Sequence, residues 1–150
     1  MEEQLLGRKR FEQDARKLRT LVPQLITPLQ DTSLPYTSTS FDGDSFSTTA
    51  KTKIDLSATF GVPANVRAVL VRSAVRDSDS SNGERWLCLS PNATDSSGLY
   101  NRCSGQGNDT WSDETFIVPC DANGDIYYQI YASGASTMDV ILEVWGYWAQ

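Results

Sequence analysis

The sequence predicts a mainly β protein: an N-terminal α-helix with short coiled-coil-like spacing, followed by an antiparallel β-sandwich or jelly roll. Three observations carry that prediction. Between Gln4 and Leu21 there is no proline and a single glycine, with many strong helix formers. From Thr48 onward the pattern changes to short runs rich in β-branched and aromatic residues. Those runs are separated by turn pairs such as Asn82-Gly83, Asn123-Gly124 and Ser133-Gly134.

Residues 1–30 read as a helix and an oligomerisation or attachment segment, the helix itself running over about 3–22. Phe11, Ala15, Leu18 and Val22 are spaced four, three and four apart, and Leu25 and Leu29 continue the alternation beyond Pro23. This is a coiled-coil seam, although upstream it reaches the polar Arg8 and Gln4. So short a helix is marginal alone, because nucleation is costly, and must pack on copies of itself, on its own domain or on a partner.

Residues 31–47 read as an extended linker, rich in Ser, Thr and Asp, with Tyr36, Phe41 and Phe46 as anchors across a surface or a neighbouring subunit. Residues 48–150 form the β head, with strands expected at 49–56, 65–75, 84–89, 99–103, 115–118, 125–132 and 137–148, and no helix of useful length. Ser133-Gly134 is expected to close the last two strands as a tight hairpin. In the final strand, Met138, Val140, Leu142, Val144 and Gly146 share the core face, with Ile141, Trp145 and Tyr147 on the other. Apolar residues on both faces, here and in 65–75, point to a subunit interface or a cover supplied by the linker.

Composition excludes several function classes. The chain has no histidine, which removes the usual general base, the commonest transition-metal ligand and the ordinary near-neutral pH switch. Cys88, Cys103 and Cys120 are odd in number, far apart and without a C-x-x-C pair, so they read as reduced core thiols. Net charge is −6 overall, yet residues 1–22 carry six basic and four acidic groups, +2, which leaves −8 for the rest. An acidic head repels phosphates and disfavours nucleic-acid binding. No run of apolar residues is long enough for a membrane span, and the charged start gives no secretion signal, so assembly in a cytoplasm is expected. Asn92-Ala-Thr94 and Asn108-Asp-Thr110 then read as polar loops rather than glycosylation sites.

Among candidate sites, Asp121, Asn123 and Asp125 begin like a calcium loop, but there is no glycine at the sixth position and Ala132 stands at the twelfth. A plain inter-strand turn is the more economical reading. Asp77, Asp79 and Glu84 form one acidic, Ser-rich loop and Asp109, Asp113 and Glu114 another, read as solvated tips. Without a phosphate loop or a nucleophile elbow, no catalytic residue, metal or cofactor is assigned. Trp86, Trp111, Trp145, Trp148, Tyr100, Tyr127, Tyr128 and Tyr131 invite a sugar-stacking platform, although core and interface packing is the common use of aromatics in strands. Tyr100 and Trp111, in or near loops, are the candidates for ligand contact.

Residues 54–72 (IDLSATFGVPANVRAVLVR), 118–130 (VPCDANGDIYYQI) and the closing Trp145-Gly-Tyr-Trp148 together resemble β modules in virion structural proteins of tailed bacteriophages. The resemblance spans about 41–148. It implies a virion component, typically a homotrimer, in which an N-terminal segment attaches to other virion proteins and a β head projects. Tail fibres, head fibres and capsid decoration (cement) proteins share that plan, and a fibre or spike of tail or neck is the leading expectation, non-enzymatic and located in the virion. A host surface glycan is a further candidate partner.

Overall fold

The computed structural model describes residues 27–28, 36–94 and 96–149. The expected helix at 3–22 and the seam residues Phe11, Ala15, Leu18, Val22, Leu25 and Leu29 lie outside them. The elements are β1 (Thr27–Pro28), β2 (Tyr36–Ser45), β3 (Thr52–Ile54), α1 (Leu56–Phe60), β4 (Ala68–Asp77), β5 (Trp86–Ser90), β6 (Leu99–Arg102), β7 (Ser112–Pro119), β8 (Ile126–Tyr131) and β9 (Met138–Trp148).

The described strands form two antiparallel sheets. Sheet A has the order β1-β9-β4-β7, with β2 also paired to β9, and sheet B has the order β3-β8-β5-β6. One apolar cluster takes side chains from both: Val69, Val71, Val75, Val118, Val140 and Val144 from sheet A, Ile54, Leu87, Leu89, Ile126 and Ile130 from sheet B. Alternation explains why these strands form here. In β4, Val69, Val71, Ser73, Val75 and Asp77 are buried, while Arg72 and Arg76 between them reach solvent.

The expected linker is a strand for most of its length. Tyr36–Ser45 pairs with β9, and the register slips between Thr37 and Asp42. That slip turns Phe41 inward, where it meets the Phe60 ring at 5.9 Å and the Tyr128 ring edge-on at 5.2 Å. Thr27 and Pro28, between Leu25 and Leu29 of the expected seam, are likewise extended, opposite Tyr147 and Gly146. A short helix also appears within the head: α1 is capped by Asp55, whose carboxylate accepts from the Ala58 amide at 2.9 Å, and Gly61 ends it at φ 72°.

Two expectations about the last strands are corrected. Ser133-Gly134 does not close a hairpin, because β8 lies in sheet B and β9 in sheet A. The residues between them make an inter-sheet corner, pinned by the Asp77 carboxylate, which accepts from the Ser133 amide at 3.0 Å and the Thr137 hydroxyl at 3.1 Å. The simple alternation of β9 also fails at its end. Val71 pairs with Val144 but Leu70 pairs with Gly146, so Trp145 is the extra residue of a bulge and the faces swap beyond it. Tyr147 therefore packs against the core.

Asp77 was read from sequence as part of a solvated loop; it is instead fully buried at the end of β4. The same carboxylate accepts from the Asp79 amide at 2.9 Å and faces the Arg85 guanidinium at 3.6 Å. Burial alone would raise its pKa, but the hydrogen bonds from Ser133, Asp79 and Thr137 outweigh it and hold the group below the ordinary carboxylate value. A depressed pKa means stabilisation that is full above the unfolded value, about 4, and is lost as pH falls through the folded one. Asp77→Ala should cost about 3–5 kcal/mol at pH 7, as removal of one member of a buried, hydrogen-bonded pair does. Denaturant titrations of both chains should show that difference shrinking below pH 4; a pH-independent gap would contradict the account.

Candidate functional surfaces

The expected core thiols are described in full. Cys88 and Cys103 are buried, Cys120 is half-buried, and all three are free. Burial pushes the Cys103 thiol up to about 11 and the Cys120 thiol up to about 12, the latter aided by Asp121 and Asp125, so neither is an activated nucleophile.

The outer face of sheet A carries a charged ladder between strands. Arg72 on β4 pairs with Asp113 on β7 at 2.5 Å and with Glu143 on β9 at 3.1 Å, and the Trp145 indole donates to Glu143 at 3.2 Å. Further along, Arg76 pairs with Asp139 at 2.5 Å. Its guanidinium also lies 4.7 Å from the centre of the Trp111 ring. Asp42, Asp44, Arg76, Trp111, Asp139 and Ile141 line an open cleft of about 410 Å³. Asp44 hydrogen-bonds and repels Asp139, which raises its pKa.

Tyr100 lies on the other sheet, so the two residues expected to contact a ligand do not share a site. It stands in β6, beside Trp86 on β5, whose ring meets it edge-on at 5.3 Å and stacks on Tyr131 of β8 at 5.6 Å. The three form one strip on the outer face of sheet B. Sequence reasoning named all three within a wider candidate platform but favoured core or interface packing for aromatics in strands; the signal for the strip was the shared parity of Trp86 with Ser90 of its strand. Sugar stacking needs open ring faces, and here one face is already occupied on Tyr100 by Arg102 at 4.5 Å and on Trp111 by Arg76.

The two acidic loops meet, the Asp109 amide donating to the Asp77 carbonyl at 3.0 Å and the Ser80 hydroxyl to the Gly107 carbonyl at 3.0 Å, but these contacts do not pair their carboxylates. Asp79 accepts from Asn82 and Arg85, whereas Asp113 belongs to β7 and pairs with Arg72. Asn101, which sequence reasoning did not single out, is fully buried and donates from its amide to Ser73 and to the Ser112 carbonyl, tying sheet B to sheet A. Asn92 and Asn108 serve loop geometry: Asn92 accepts from the Thr94 amide at 3.0 Å and Asn108 from the Ser81 amide at 3.0 Å.

The Asp121 to Asp125 turn is built from its own carboxylates. Asp121 accepts from the Asn123 and Asp125 amides, and Asp125 accepts from the Leu56 amide at 3.2 Å and Lys53 at 3.0 Å. Gly124, at φ 88°, sits so close to the chain that an added Cβ would lie 2.7 Å from the Asn65 nitrogen. Among the described residues there is no group of three or more His, Cys, Asp or Glu placed to hold a metal ion, and no helix long and apolar enough to cross a membrane. No protein-family model and no curated protein sequence matches the chain.

A ligand at a hundredfold its dissociation constant stabilises a protein by about 2.7 kcal/mol. With both carboxylates committed to amides and Lys53, millimolar calcium should leave the melting temperature unchanged in a thermal scan. A calcium-dependent rise, lost in Asp121→Asn, would show that the turn rearranges into a site.

Proposed function

We propose that the chain is a non-enzymatic structural protein of a tailed-bacteriophage virion: a trimeric fibre- or spike-like component of tail or neck, with an N-terminal attachment segment and a projecting jelly-roll head. The jelly-roll assignment is supported by the strand orders β2-β9-β4-β7 and β3-β8-β5-β6, with all connections but β5 to β6 crossing between sheets from β2 onward. The observation that carries the functional reading is where the chain joins the head. β1 lies on the edge of β9 at its C-terminal end, opposite Gly146 and Tyr147, so the N-terminal segment leaves from one end of the head, as a stalk must.

A second reading is a capsid decoration protein that reinforces the shell. The charge division favours it, since residues 1–22 carry +2 and the rest −8, leaving a basic arm to meet an acidic partner surface.

Light scattering on the intact chain should give three times the 16.6 kDa chain mass. A chain beginning at Thr27, which keeps β1, should fall to one chain mass. A trimer in both would move the interface into the head, and a monomer in both would overturn the trimeric fibre in favour of docking on a shell.

A further inference from the structure

Two asparagine–glycine pairs lie in turns of the head, and the fold treats them in opposite ways. In Asn123-Gly124 the glycine is buried, and its amide donates to the Asp121 carbonyl at 3.1 Å. The Asn123 amide donates to the Asp121 carboxylate at 2.8 Å, and the Asn123 carbonyl accepts from the Asn65 amide at 3.2 Å. An added Cβ at Gly124 would lie 2.7 Å from that same nitrogen, so the turn is packed hard against a neighbouring segment.

In Asn82-Gly83 the glycine is exposed, together with Ser81, Asn82 and Glu84. Its amide makes no hydrogen bond within the described residues. Asn82 is held from one side only: its backbone amide donates to the Asp79 carbonyl at 3.2 Å, and its side-chain amide donates to the Asp79 carboxylate at 2.8 Å. The Arg85 guanidinium lies 3.3 Å from where a Cβ on Gly83 would stand. A cation so close to the backbone favours loss of a proton from the Gly83 amide.

We propose that Asn82 is a self-modification site, deamidated through Gly83, while the fold spares Asn123. The Gly83 nitrogen gives its proton to hydroxide and attacks the Asn82 Cγ, closing a succinimide ring. The bond from Cγ to the side-chain nitrogen breaks, and that nitrogen takes a proton from water and leaves as ammonia. Water then opens the ring at either carbonyl, leaving aspartate or isoaspartate at position 82. Glycine is the residue that permits the attack, since it has no Cβ to crowd the nitrogen. The product replaces a donor to Asp79 by a carboxylate, and two carboxylates in contact repel. The new charge acts directly on the ion pairs of Arg85 with Asp79 at 3.3 Å and Asp77 at 3.6 Å. This chemistry is independent of the virion role and of the trimer.

The test is incubation of the full chain at mildly alkaline pH, in buffer and in concentrated denaturant, followed by peptide mapping with mass spectrometry. In the folded chain Asn82 should convert about tenfold or more faster than Asn123, because Gly124 must first give up a buried hydrogen bond. In denaturant the two should convert at similar rates, since both precede glycine. The folded product should elute from an anion exchanger with one more negative charge than the chain's −6. Asn82→Gln should abolish that species, because glutamine would have to close a larger ring. Equal rates in the folded chain, faster conversion at Asn123, or an Asn82 that reacts only once denatured would overturn the inference. So would a preference for Asn82 that persists in denaturant, since it would belong to the local sequence and not to the fold.

Discussion

The pairing of β4 with β9 is the constraint on which the head depends. Ten residues of each sheet-A strand are held in antiparallel register, from Ala68 with Trp148 to Asp77 with Met138. Every other part is placed relative to that pair. Its inner face supplies Val69, Val71, Val75, Val140, Leu142 and Val144 to the core, its outer face supplies Arg72, Arg76, Asp139 and Glu143, and its two ends carry the features that matter most. At one end Asp77 locks the corner through which the chain passes from sheet B to β9. At the other, the Trp145 bulge swaps the faces of β9 beside β1.

Much of the head was legible in the sequence, because alternation and turn chemistry are local signals. The expected strands at 65–75, 84–89, 99–103 and 125–132 overlap β4, β5, β6 and β8 closely. What failed was everything that depends on which strands pair. Ser133-Gly134 looks like a hairpin turn whether its flanking strands share a sheet or cross between two. Tyr36–Ser45 has no apolar alternation, since five of its residues are Ser or Thr and two are Asp, and its pairing comes from the free edge of β9. Asp77 sits in a run of Ser and Asp that reads as a surface loop, and only the convergence of three segments makes it a buried anchor. The faces of β9 beyond Val144 could not be read because a bulge is invisible to a strict period of two.

The outer faces of the two sheets differ in chemistry. Among the described residues, the carboxylates of Asp77, Asp79, Asp113, Asp121, Asp125 and Glu143 are each held by arginine, lysine, a side-chain or backbone amide or a hydroxyl, while Asp44 and Asp139 meet in an open cleft. The aromatic strip of Tyr100, Trp86 and Tyr131 is a rigid, half-buried surface on the sheet opposite the charged ladder. The two faces are therefore chemically distinct, one a charged ladder and the other an aromatic strip.

The central claim is that both sheets are one cooperative unit, because their side chains share one core and Asn101 and Asp77 tie the sheets at buried positions. Native-state hydrogen exchange measures this directly. The slowest amides of β4 and β9 and those of β5 and β8 should exchange with one common free energy and one denaturant dependence. A lower opening free energy confined to β5 and β8, with its own denaturant slope, would contradict the account by showing that sheet B opens while sheet A stays folded.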